Sequence, residues 1–252
     1  MFAQHRDRFV RQLAETLGCD PAAFETDMLT VVERPAASRE PFIALVATLG
    51  TGTVLSVDAR FFDFARSQTI EPHFRAFHSA AFAQPLVEEG KARGIALAWR
   101  GPNLAFIPAS APPEFVLPDG FEARSVGREW RAQYLESRLF ENGLGEPGNT
   151  YVEQFWRSAI VAFGADGEPA ALAGTYDDGE GLLEIGVEVA RPFRGIGLAN
   201  AVVARQAAAI LAAGATPTYY CAPTNIRSQR TASACGLVPV ASRLVVSAVK
   251  GA

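Results

Sequence analysis

Apolar and polar positions change period several times along the chain, and each change marks an element. Over residues 6–17, Phe9, Leu13 and Leu17 recur at helical spacing with charges between them, and Gly18 follows where a C-terminal cap belongs. The pattern predicts a surface helix with one apolar stripe. From Met28 the period shifts to that of strands. The runs 28–33, 42–49 and 53–62 are rich in β-branched and aromatic residues, and Gly50-Thr51-Gly52 between the last two predicts a hairpin. A helix is expected over 82–93, followed by a second hairpin, 95–100 and 103–108, turning at Gly101-Pro102. Proline and small residues crowd 108–118, which reads as a linker.

Beyond it the pattern predicts a strand (121–126), a helix (128–140) with Trp130, Tyr134 and Leu135 on one side, and an irregular loop, 141–150, whose glycines and proline argue against regular structure. A short helix over 151–158 leads to strands 159–165 and 170–178 around an Asp166-Gly167 turn. An apolar strand from Leu182 runs into a glycine-turned loop, then into an alanine-rich helix that carries a single charge, Arg205, before Gly214. A strand (216–223), a helix over 225–236 capped by Thr224 or Asn225 and closed by Gly236, and terminal β structure complete the order.

Composition narrows the classes. With 252 residues, 49% hydrophobic and 20% charged, the chain can bury a core and is not disordered or fibrous. No apolar run reaches the ~20 residues that span a bilayer, and the charged, amphipathic start lacks the apolar centre of a signal peptide, so a cytoplasmic protein off the membrane is expected. Cys19, Cys221 and Cys235 are odd in number and lack CxxC pairing, against both a disulfide framework and a zinc site. His73 and His78 are five apart and cannot share a metal from one helix face, so no metal is expected. A formal charge of −4 without a basic run gives no footprint for nucleic acid.

The stretch Leu182 to Ala213 organises the rest. Amides at a helix start have no intrahelical acceptor, the helix dipole adds positive charge there, and Gly195 and Gly197 let an anion approach the main chain. Two glycines at a helix start also cost conformational entropy that a plain turn would not require. A dinucleotide reading fails, because no third glycine follows at the right spacing and no acidic residue ends a strand ~20 residues on. The earlier Gly-Thr-Gly-Thr has no helix after it and no lysine closing it as a P-loop would.

The run Arg194-Gly195-Ile196-Gly197-Leu198-Ala199, placed between a strand and a long helix, resembles the R/Q-x-x-G-x-G/A signature of the GCN5-related N-acetyltransferases (GNAT superfamily). Val189 five residues earlier, and Asn225 to Ser228 opening the next helix before Gly236-Leu237, strengthen the resemblance, which covers about residues 119–250. It implies an α/β (α+β) fold: a mixed, mostly antiparallel central sheet flanked by helices. It further implies acetyl-CoA as acyl donor, with main-chain N–H groups from Arg194 through Gly195, Ile196, Gly197 and Leu198 to Ala199 on the pyrophosphate. The backbone of Val187 and Val189 would line the thioester, Val189 N–H facing its oxygen, and Asn225 and Ser228 would touch the pantetheine arm.

Strand alternation puts Glu184, Gly186 and Glu188 on one face and Ile185, Val187 and Val189 on the other. An amine arrives mostly protonated, so it needs a base; Glu188 is the first candidate and Glu184 the second, with an exposed strand carboxylate the competing reading. Many family members carry a tyrosine seven residues after the motif's asparagine as general acid. Here that position is Ala232, with Thr231, Ser233 and Cys235 poor substitutes. Tyr219 or Tyr220 could reach the same cleft, against a reading of both as cross-strand packing.

The expected division is therefore an acetyltransferase domain over 116–252 and a second, smaller α+β domain over 1–115. Some two-part members of the superfamily pair the catalytic half with a degenerate relative, and that arrangement is expected of the first half, where it would wall one side of the acceptor cleft. The expected activity is transfer of acetyl from acetyl-CoA to a primary amine of a small molecule, or of a peptide or protein, by direct attack in a ternary complex. An acyl-CoA-binding sensor or pseudoenzyme is the alternative. The acceptor and the oligomeric state, a homodimer included, stay open.

Overall fold

The computed structural model describes residues 2–38, 42–68 and 80–249. His73 and His78 lie outside the described residues. Two compact units emerge: Met1–Arg8 with Phe106–Tyr220 and Asn225–Val238, and Phe9–Ala105 with Cys221–Thr224 and Pro239–Ala252. Both have mixed, mostly antiparallel sheets flanked by helices.

In the unit drawn mainly from the first half, the part of helix α1 (Phe2–Leu17) from Phe9 onward buries Phe9, Leu13 and Leu17, and Gly18 adopts φ 78 as its cap. Strands β1 (Leu29–Glu33), β2 (Ala44–Thr48) and β3 (Thr53–Val57) follow. β2 and β3 form the expected hairpin, Thr48 facing Thr53, while β1 lies parallel to β3. Helices α2 (Phe62–Ser67) and α3 (Ala80–Ala92) cover a core of Leu55, Val57, Phe61, Ala83 and Leu86.

The second expected hairpin does not form. Residues 97–108 make one continuous strand, β4 (Leu97–Pro108), with a cis Gly101-Pro102 bond inside it. Gly101 serves close approach as well as its positive φ of 108: a Cβ there would lie 2.9 Å from the Arg243 carbonyl oxygen of the neighbouring strand.

In the unit that carries the glycine loop, β5 (Glu122–Val126), β6 (Trp156–Phe163), β7 (Pro169–Gly179) and β8 (Leu182–Val189) pair antiparallel in sequence order. β9 (Thr216–Cys221) is parallel to β8, and their pairing runs only from Leu182↔Thr216 to Glu184↔Thr218. β8 continues past that point on β7 as far as Ala171↔Val189, so the two parallel strands diverge. Helix α7 (Leu198–Ala212) packs on β6, β7 and β8 and buries Ala201, Val202, Ala204, Ala207 and Ile210, the alanines letting its axis approach the sheet. Helix α8 (Ile226–Ala234) is capped by Asn225, whose side chain accepts the Ser228 amide at 3.2 Å. Strand β10 (Leu237–Ala248) begins here, but from Pro239 onward it belongs to the unit described first, where it pairs antiparallel with β2 from Ser242↔Thr48 to Val246↔Ala44.

The stretch 128–140 breaks earlier than its apolar spacing suggests: α4 (Arg128–Tyr134) passes into a 3-10 turn over 135–137, and Arg138 takes φ 54. The expected loop also departs from expectation, because residues 141–144 form a one-turn helix, α5 (Glu141–Leu144), ahead of α6 (Thr150–Phe155). Three glycines explain it. A Cβ on Gly186 would sit 1.9 Å from the Asn142 carbonyl oxygen, one on Gly174 would sit 1.9 Å from that of Gly143, and one on Gly143 would strike Leu172. Gly174 and Gly186 are direct cross-strand partners and therefore share a face. α5 rests its backbone on that bare patch. Trp156 Nε1 then donates to the Gly143 carbonyl at 2.9 Å and Arg131 Nε to the Leu144 carbonyl at 2.9 Å, satisfying carbonyls that so short a helix cannot.

Candidate functional site

The end of β8 sets the site. Ala190 N–H donates across to the Ala170 carbonyl at 2.8 Å, so its amide faces β7. Amide directions alternate along a strand, and those of Val189 and Val187 consequently point to the opposite edge, where β9 has already peeled away. Two backbone donors thus face a gap and not a neighbouring strand. Their side chains, on the face opposite Glu188, belong to the α7 side of the sheet.

After Val189 the chain makes a single 3-10 turn, Arg191–Phe193, and then the glycine loop. Arg194 Nε donates back to the Val189 carbonyl at 3.0 Å, tying the loop to the strand end. Gly195 and Gly197 take φ 91 and φ 95, a region that side chains strain to enter, and a Cβ on either would meet no atom within 4 Å. Space is open above both. Gly197 is the N-cap of α7 and no side chain caps it, so the first-turn amides face outward beside the positive end of a 15-residue helix.

These features line one cleft of about 700 Å³. β8 and the loop contribute Val187, Glu188, Val189, Arg194, Gly195 and Gly197; α7 contributes Leu198 and Ala199; Asn225 and Ser228 close the other side. Of the residues singled out in the sequence, Ile196 does not line the cleft and is 47% exposed, while its amide stays in the loop. Glu184 is also outside it, facing Tyr176 across the β7–β8 pair on the side of α5. Arg194, Arg227 and Arg230 line the cleft with Glu188 as the one carboxylate beside them, an electrostatic balance suited to a polyanion.

Glu188 is held by the main chain: its Oε2 accepts the Asn142 amide at 3.1 Å, and the Asn142 carbonyl in turn accepts from the Tyr176 hydroxyl at 3.2 Å. Burial, with the Glu184 carboxylate opposite, pushes the Tyr176 hydroxyl far above its ordinary range, so it stays a donor. Arg131, buried over the Trp156 ring, has its acidity raised by desolvation. Asn142 itself lines the cleft, from a stretch whose glycines and proline predict an irregular loop. The available signal was the pair of glycines, Gly174 and Gly186, at facing positions on neighbouring strands.

Ala232 is fully buried and offers nothing to the cleft, and burial pushes the Cys235 thiol up to about 12. Tyr219 does line the cleft: its ring is 2% exposed and its hydroxyl lies 2.7 Å from Ser228 Oγ. Tyr220 turns elsewhere and donates to Asp178 Oδ2 at 3.0 Å. Among the described residues no helix is long and apolar enough to cross a membrane, and no cluster of His, Cys, Asp and Glu has the geometry to hold a metal.

No protein-family model and no curated protein matches the sequence. Solved structures do resemble it. A Drosophila protein is 22% identical with a TM-score of 0.53, the match covering 69% of this chain and 60% of that one, less than two thirds of its length. A GCN5-related N-acetyltransferase-like protein from Streptococcus suis is 17% identical with a TM-score of 0.47, covering 68% of this chain and 69% of that one. A tandem GNAT protein from the clavulanic acid biosynthesis pathway is 15% identical with a TM-score of 0.46, covering 68% and 59%. The likeness to the Drosophila protein is one of fold alone.

Proposed function

We propose that the chain is an N-acetyltransferase that moves the acetyl group of acetyl-CoA to a primary amine of a small molecule or peptide, by direct attack in a ternary complex. The observation that carries this reading is the divergence of β8 from β9 after Glu184↔Thr218, directly ahead of an uncapped helix start with two positive-φ glycines. A diphosphate suits the outward amides of the loop and α7. A thioester arm suits the gap between the strands, where Val189 N–H can donate to the carbonyl oxygen. That amide gains most when the oxygen becomes an oxyanion, which is the differential binding that catalysis requires. Asn225 and Ser228 border the same arm.

A lysine-type amine titrates near ~10.4 and an α-amine near ~8, so each must lose a proton before attack. Glu188 is the base in this reading, since its carboxylate borders the cleft and its orientation is fixed by Asn142. Glu184 is the weaker candidate because it stands outside the cleft. The neutral nitrogen attacks the thioester carbon and the C–N bond forms; the nitrogen then gives its second proton to solvent, the C–S bond breaks with its electron pair passing to sulfur, and coenzyme A leaves.

The test combines calorimetric titration of acetyl-CoA with thiol release in the presence of L-lysine, spermidine, tyramine, an aminoglycoside and a peptide with a free α-amine. Saturable binding and amine-dependent release above hydrolysis are expected. Binding without release to any amine would favour an acyl-CoA sensor, and absence of binding would overturn both readings.

A further inference from the structure

We propose that Ser228 and Tyr219 together supply the proton that the departing thiolate takes up, an inference that rests on the transferase reading above. Tyr219 is the first β9 residue beyond Glu184↔Thr218, the last paired position, and so stands at the vertex from which the two strands open. Its ring is buried, with Phe106 edge-on at 6.3 Å, and its hydroxyl emerges against Ser228 Oγ at 2.7 Å on the cleft wall. Ser228 is fixed in turn, because its amide donates to the Asn225 cap. A phenylalanine would fill the ring's place among apolar neighbours without placing a polar oxygen at a buried position, so the hydroxyl is unexplained by packing alone.

The two walls divide the proton chemistry. Glu188 lies on the β8 wall, where a proton must be removed from nitrogen, and Ser228 on the α8 wall, where negative charge would develop on sulfur. As the tetrahedral adduct collapses, the C–S bond pair passes to sulfur. Sulfur takes the Ser228 hydroxyl proton while the Tyr219 proton moves to Ser228 Oγ, and solvent restores the phenol after coenzyme A leaves. Phenols titrate near ~10 and alkyl thiols near ~8.5, close enough for such a relay, whereas a serine hydroxyl alone is too weak an acid to be the source. Ser228 is the group that touches the sulfur, and Tyr219 acts through it.

Single-turnover transfer from acetyl-CoA to the fastest amine of the panel separates chemistry from product release. Tyr219→Phe and Ser228→Ala are each expected to slow that step by roughly 10²-fold, the ordinary size of a lost acid. Ser228→Thr, which keeps the hydroxyl, should recover most of it. Acetyl-CoA affinity by calorimetry should stay near the wild-type value in Tyr219→Phe, and the alkaline limb of the rate against pH should move. A Tyr219→Phe protein, folded by circular dichroism, with wild-type rate and an unmoved limb overturns the inference while leaving the transferase standing. The same holds for a wild-type rate in Ser228→Ala. A wild-type chain that binds acetyl-CoA and acetylates no amine overturns both.

Discussion

The amide nitrogen of Asn142 donates to Glu188 Oε2 at 3.1 Å, joining the second residue of α5 to the last turn-facing carboxylate of β8. One oxygen of the carboxylate is thereby anchored, on a residue that lines the cleft. The same bond satisfies an amide at the start of a helix too short to satisfy its own. A carboxylate held by main chain keeps a fixed orientation toward the cleft.

Glu188→Gln keeps an acceptor for the Asn142 amide and removes the proton-accepting function. Transfer, measured as kcat/KM for the amine, should fall by about 10²–10⁴ while the melting temperature barely changes. A Glu188→Gln protein with full activity would reduce the carboxylate to a structural cap of α5.

Gly186→Ala tests whether α5 depends on its glycine bed. The added methyl would meet the Asn142 oxygen at 1.9 Å, too close for any accommodation short of lifting the helix. Overpacking of this kind costs about 1–3 kcal/mol, and the lifted helix would take the Asn142 amide away from Glu188. Urea denaturation should register the first effect. A larger loss of transfer than of acetyl-CoA affinity should register the second.

The contrast between α5 and α7 says what was legible in the chain. At Gly195 and Gly197 the glycines are required by positive φ, and a loop that needs them leads straight into an apolar helix; both facts are local. Thus the loop side of the cleft could be read residue by residue. At Gly174 and Gly186 the requirement is for space against a distant backbone, and at Gly143 against the Leu172 side chain, neither of which a sequence can distinguish from a turn signal. The same ambiguity turned β4 into a hairpin on paper, where Gly101 admits the Arg243 carbonyl. Tyr219 was ambiguous for a related reason: its hydrogen-bond partner lies on the next element, and alternation along β9 alone does not select between it and Tyr220.

At Gly197 backbone and charge effects can be separated. Nothing lies within 4 Å of a Cβ there, so Gly197→Ala meets only the cost of holding a side chain at φ 95, on the order of 1–2 kcal/mol. Gly197→Glu adds a carboxylate at the helix start, where an anion is expected to bind. Acetyl-CoA should bind Gly197→Ala several-fold more weakly and Gly197→Glu more weakly again by at least an order of magnitude. The gap between the two variants should narrow at high salt, because only its charge component is screened.

In the other unit, Asp58 makes stability depend on pH in a predictable direction. Its Oδ1 accepts from Arg60 Nε at 2.8 Å and from the Arg60 amide at 3.1 Å, and its Oδ2 accepts from Arg34 Nη2 at 3.0 Å. The Arg60 contacts, helped by Arg34 and opposed by burial, hold the carboxyl down at about 2. The unfolded chain therefore binds this proton first, near the ordinary value of ~3.9. The contribution is fully present above that value, declines as pH falls toward about 2, and is lost below it. Because the Arg60 side chain is 58% exposed, the gain is discounted to about 1 kcal/mol. Asp58→Asn should be less stable by that amount at neutral pH. Its urea midpoint should also fall less steeply than that of the wild type as pH drops through this window, while equal slopes in the two proteins would show that the carboxylate is not held below its free value.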